Sequence, residues 1–196
     1  MLSLNTWLDQ PLTLSASGET AVPVQPATGL DLPLMPSGDG QIDLVDRLYP
    51  YNGDVARRRA ALLRTLQYFP NDKTTVFSAN ARLAWLDWNA DKNQAALDRL
   101  EPLLKGYEHD VTPDLYSWAE TTRALALRDL KRTPEAEAIL LRIARDTRLT
   151  ADRRAETGID AAWLLKTHAP SEAVSLLLEI IDLPSSWLPD PYSLLA

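Results

Sequence analysis

The side chains able to do covalent or metal chemistry are few and scattered. The chain has 196 residues, two histidines, 27 carboxylates and no cysteine, so thiol nucleophiles, disulfides and thiolate metal sites are absent from its chemistry. His109 and His168 lie far apart and neither belongs to an H-E-x-x-H spacing, which places two imidazoles on one helical face. The run "EHD" at 108–110 offers three ligand types, but consecutive residues point in different directions and no second cluster completes a site. Glu135 and Glu137 stand two apart, on different faces of a helix, where they favour its amino end through the dipole. There is no G-x-S-x-G elbow and no glycine-rich phosphate loop. The sequence predicts no catalytic residue, no metal site and no cofactor. An enzyme built on Asp and Glu alone would need a pocket that gathers three or more carboxylates.

The arginines and tryptophans suggest binding instead. Arg57, Arg58, Arg59 and Arg64 open one helix, and Arg142, Arg145 and Arg148 form a stripe near the end of another. No aromatic residues interleave with them as stacking platforms, so both groups read as solvated faces. The net charge of −7 further disfavours a nucleic-acid backbone as ligand. Trp85 and Trp88 lie one helical turn apart and can project from one face. Tryptophan and arginine together are the residue types most enriched at energetic hot spots of protein interfaces.

These side chains are carried by two regions of different texture. Residues 1–46 hold Asp9, Glu19, Asp31, Asp39, Asp43 and Asp46 with no Lys or Arg, together with five prolines and four glycines. That spacing of breakers predicts an extended, acidic, non-helical arm over 1–40, able to lie beside the arginines at 57–64 or on a partner. From residue 41 to 196 the pattern becomes helical. Asp54 caps a face of Val55, Leu62, Leu63, Leu66 and Phe69 that ends at Pro70, and six further helices are predicted near 73–89, 92–105, 113–130, 134–146, 151–167 and 170–182. Thr112-Pro113 and Thr133-Pro134 mark starts in which a capping hydroxyl precedes proline at the first helical position. Short links make consecutive helices antiparallel hairpins. No apolar run reaches the length of a membrane span, and the opening "MLSLNTWLDQPL" lacks the basic and apolar regions of a signal peptide. The composition suits cytoplasm or periplasm alike, the latter through an anchor or signal outside this chain.

The helices repeat. Ala96, Leu100 and Leu103 recur with unchanged spacing as Ala136, Leu140 and Ile143, then as Ala173, Leu177 and Ile180. Twelve residues before each of those alanines stands another, at Ala84, Ala124 and Ala161. Paired small residues allow close helix approach, and the larger residues after them fill space against the next hairpin. This pattern resembles the tetratricopeptide repeat family, in a degenerate form: Asn80, Glu120 and Thr157 stand where that family carries a tryptophan. The resemblance implies an all-α solenoid of stacked antiparallel hairpins, with units at about 77–112, 117–149 and 154–185. A stub of a further unit follows at 186–196, because "PDPYSLLA" at 189–196 rewrites "PDLYSWA" at 113–119. It also implies a concave groove lined by first helices. The groove positions fall on Arg82, Trp85, Trp88 and Asn89, on Trp118, Thr121, Thr122, Leu125 and Arg128, and on Ile159, Ala162, Leu165 and Lys166. The expected function is a non-catalytic adaptor that binds a peptide or protein in this groove. The alternative is the repeat portion of a larger cell-envelope export or assembly complex, a spacer and docking surface.

Overall fold

The computed structural model describes residue 30 and residues 32–184. Eight α-helices and no strand occur among them: α1 (Gly38–Leu48), α2 (Val55–Tyr68), α3 (Lys73–Trp88), α4 (Asn93–Tyr107), α5 (Pro113–Asp129), α6 (Thr133–Ala144), α7 (Ala151–Leu165) and α8 (Pro170–Ile181). No helix is long and apolar enough to cross a membrane. Residues 1–29, most of the expected arm, and 186–196, the expected stub, lie outside the described residues.

Local chemistry sets the helix starts. Asp54, Asp72, Thr112 and Thr150 each accept a hydrogen bond from the amide three residues on, which satisfies one of the free N–H groups of the first turn. The second helices of the later hairpins begin differently. Thr133 lies inside α6, whose cap is Arg132 with no side-chain bond, so the expected Thr133 cap is not formed. The entry is fixed by the preceding turn instead. Asp91 and Lys131, 40 residues apart, both take positive φ (58° and 66°), and the next amides, of Lys92 and Arg132, return to the carbonyls of Asp87 and Leu127. That six-to-one bond with a left-handed residue is the Schellman arrangement, and its recurrence shows the α3–α4 and α5–α6 turns to be one design.

One helix contradicts the sequence expectation. The glycines read as breakers include Gly38 and Gly40, yet α1 begins at Gly38, capped by the Ser37 hydroxyl. Both glycines sit in the first turn, ahead of the buried face of Gln41, Ile42 and Val45, so burial against neighbours outweighs their low propensity. Gly38 is also needed sterically, because a Cβ there would lie 1.7 Å from Thr75 Oγ1. The segment before it is fastened to the body: Leu32 is buried among Ile42, Val45, Leu62 and Leu83, and the Gln41 side chain bonds Met35 N and Pro33 O.

Consecutive helices pack as hairpins, and contacts also join α1 to α3, α3 to α5 and α5 to α7. The odd-numbered helices therefore form one layer and the even-numbered helices pack on it as a second. All six repeated alanines are buried, as are Leu100, Leu103, Leu140 and Ile143 between hairpins. Replacing Ala124 or Ala136 with Leu is expected to lower stability by about 1 to 3 kcal/mol each through overpacking, read from denaturant unfolding; tolerance of both would contradict close packing at these positions.

Candidate interaction surface

The twelve-residue spacing of the alanine pairs has a fourth instance that residue type conceals. Asp46 in α1 and Arg58 in α2 stand 12 apart, and Asp46 precedes Ala84 by 38 residues, close to the later steps of 40 and 37. In the first hairpin an ion pair takes the place of two alanines. Arg58 is fully buried, its Nη2 is 2.5 Å from Asp46 Oδ1, and its Nη1 donates to the Tyr49 carbonyl. The same carboxylate receives Arg82 of α3, through Nε at 3.2 Å and Nη2 at 2.8 Å. One aspartate thus joins three helices.

Asp87 has the same role in the next hairpin. It is buried and accepts from Arg59 of α2 at 2.6 Å and from Arg99 of α4 at 3.4 Å. The expected solvated face at 57–64 is corrected accordingly, since Arg58 and Arg59 point inward to carboxylates while Arg57 stays open beside Asp54. The stripe at 142–148 is paired throughout, with Glu120, Glu179 and Asp146.

An aromatic strip grows from the Asp46 junction. The Arg58 guanidinium lies 3.6 Å from the Tyr51 ring centre. Tyr51 meets Trp85 edge-on at 4.7 Å, and Trp85 meets Trp88 at 6.2 Å. Trp88 Nε1 donates to Asp129 at 2.8 Å, and Arg128 Nε reaches the other oxygen of that carboxylate at 2.8 Å. Burial would raise the Asp129 pKa, but the bonds from Arg128 and Trp88 outweigh it and hold the carboxyl below its usual range. Arg82 also lies 5.8 Å from the Trp118 ring centre.

The groove residues read from the sequence divide into two sets. Arg82, Trp85, Trp88, Trp118 and Arg128 are half-buried, and Asn89 and Lys166 are exposed at the ends of α3 and α7. Leu125 and Ile159 are half-buried. Thr121 and Thr122 are buried, with hydroxyls donating to the carbonyls of Ser117 and Trp118, and Thr121 also meets Thr157 of α7. Ala162 and Leu165 are core. Two aromatics were missed. Tyr51 joins the strip, and Trp163 is 64% exposed beneath Lys166 Nζ, 3.3 Å from its ring centre. Tyr51 was concealed because the helix before it was not foreseen.

A separate cleft of about 290 Å³ lies between α4 and α5, lined by Glu101, Leu104, Lys105, Glu108, Tyr116, Glu120 and Arg123. Three carboxylates meet there, answered by Lys105 and Arg123 and by Arg142, 2.6 Å from Glu120. Among the described residues no three His or carboxylate side chains are grouped to hold a metal ion.

Asp46→Ala leaves Arg58 buried without its carboxylate. The expected loss is about 3 kcal/mol, the lower end for such a deletion because the Asp46 side chain is itself 31% exposed. Adding Arg58→Met should recover some of that loss, whereas additive effects in a double-mutant cycle would contradict a direct pairing. Trp88→Phe should cost about 1 kcal/mol and raise the Asp129 titration followed by NMR. The lowered Asp129 pKa contributes stability that is full above the ordinary carboxylate value and fades as pH falls from there through the folded value; in Trp88→Phe this contribution should be smaller and its fading complete at higher pH. An unshifted Asp129 would contradict the bond. Compared with known proteins, the chain matches no family model, no curated protein and no solved structure.

Proposed function

We propose that this chain is a non-catalytic scaffold of tetratricopeptide-like repeats that binds a peptide or protein along the face of its odd-numbered helices. The observation that carries the reading is the strip Tyr51–Trp85–Trp88, flanked by Arg82, Trp118, Arg128 and Asn89 on adjoining first helices. Half-open aromatic rings held by neighbours lose little freedom on binding, and guanidinium groups among them can meet carboxylates or backbone carbonyls of a partner. Trp85 and Trp88 also pack against the hydrophobic core, so their truncation would mix lost binding with lost stability.

The carboxylate cleft favours a second reading, an acid–base site at Glu101, Glu108 and Glu120. Its carboxylates are met by cations on the same surface, which suits a structural network better than a proton donor held neutral.

The test uses groove positions that do not support the core. The full chain, immobilised, is used to capture proteins from a lysate, beside a variant with Asn89→Asp and Lys166→Glu, both exposed, and a control with Arg145→Ala on the even-numbered layer. The reading expects a defined protein retained by wild type and control and weakened at least tenfold by the groove variant at unchanged Tm. Equal retention by all three chains would contradict it.

A further inference from the structure

The caps of the first helices set a register of their own. Asp72, Thr112 and Thr150 open α3, α5 and α7 through the same bond, from the side chain to the amide three residues on. A second bond keeps step with them. Tyr116 and Arg154, each four residues after its cap, donate to the carbonyls of Leu104 and Ala144, both at 3.1 Å, and those two acceptors stand 40 apart. The step from α5 to α7 is therefore 38 residues, one more than the 37 that separates Ala124 from Ala161. The Thr150 amide also donates to Asp114 at 3.1 Å, which ties the start of α7 beside that of α5.

This one-residue difference relocates the third part of the groove. The expected positions Ala162 and Leu165 are core, and the residues in step with Leu125 and Arg128 are Trp163 and Lys166. Thirteen residues after the three caps stand Trp85, Leu125 and Trp163. Because α3 packs beside α5 and α5 beside α7, these three form one apolar row across the first helices. Trp85 and Leu125 are half-buried, whereas Trp163 is 64% exposed and, among the described residues, packs against no core cluster.

The row one turn before it, ten residues after each cap, reads Arg82, Thr122 and Asp160. Its two charges are treated differently. Arg82 is matched by Asp46 at 2.8 Å and Glu156 by Arg153 at 2.8 Å, but Asp160 has no ion pair or hydrogen bond among the described residues. Burial, with Glu156 one turn away, pushes the Asp160 carboxyl above its ordinary range against the pull of Arg128 and Arg153. A half-buried carboxylate in that condition gains from a cation brought to it.

We propose that the binding face continues across α7, and that its occupant is a peptide segment of a partner with a large apolar side chain for Trp163 and a basic side chain for Asp160. This rests on the scaffold reading above and names the partner class at one end of its groove. Two helix-to-helix steps of about 8 to 10 Å separate the outer members of the apolar row. About six residues of extended chain cover that span.

Random dodecapeptides displayed on phage are selected on the immobilised full chain, and the enriched peptides are synthesised and titrated by fluorescence polarisation. The proposal predicts enriched peptides that join apolar residues to a Lys or Arg. They should bind Trp163→Ala at least tenfold more weakly at unchanged Tm, with Trp163→Leu largely retaining binding. Replacing the peptide's basic residue with Ala should cost less in Asp160→Asn than in wild type; an equal cost in both chains overturns the pairing with Asp160. Peptides that bind Trp163→Ala as tightly as wild type yet weaken with Asn89→Asp at the end of α3 remove the extension and leave the groove reading standing. Peptides indifferent to both substitutions, or no enrichment above the bare support, remove both.

Discussion

The carboxylate of Asp46 is the fixed point of the amino-terminal half. It stands where later hairpins place a small residue, and it receives a fully buried guanidinium from α2 and a second guanidinium from α3. A buried arginine without its counter-charge costs several kcal/mol, so this contact fixes α1 on α2 and α3 alongside the burial of Ile42 and Val45. At the equivalent position of the sequence pattern the later hairpins carry buried alanines, Ala84, Ala124 and Ala161, each with a second buried alanine twelve residues on, so large neighbours fill the space there. Directional charge pairing in one unit and close apolar packing in the next three thus serve the same geometry.

That exchange also orders the candidate surface. Arg58 and Arg82, held by Asp46, sit against Tyr51 and Trp118, and Tyr51 in turn backs Trp85. The strip is positioned from beneath by ion pairs and from its far end by the bond of Trp88 to Asp129. Rings fixed this way present apolar area with little conformational freedom left to lose, which is the property a recognition surface needs. Asp87, drawing Arg59 and Arg99 from α2 and α4, ties the two layers together beside Trp88.

Seven of the eight helices were legible because their signals are local: apolar periodicity, a capping Asp or Thr, and proline at a first turn. The all-α class and the hairpin order followed. α1 was not legible, since its two glycines weaken the local signal and its burial depends on partners distant in sequence, among them Thr75, Leu83 and Arg82. The repeat is concealed in the same place by residue type, because Asp46 with Arg58 satisfies the spacing with charge instead of small size. On the surface, the groove positions implied by the resemblance to tetratricopeptide repeats fell on Arg82, Trp85, Trp88, Trp118 and Arg128, all half-buried. That register could not tell that Thr121 turns into the contact between α5 and α7, which depends on how one hairpin stacks on the next.

In a linear array each hairpin is stabilised by its neighbours, a nearest-neighbour arrangement that differs from a single cooperative core. Hydrogen exchange followed by mass spectrometry on Asp46→Asn separates the two, because the substitution breaks the junction at one end. In the array, amide protection falls in α1, α2 and the first turns of α3 while α5, α6, α7 and α8 keep their wild-type exchange. An equal loss of protection across all eight helices would contradict it.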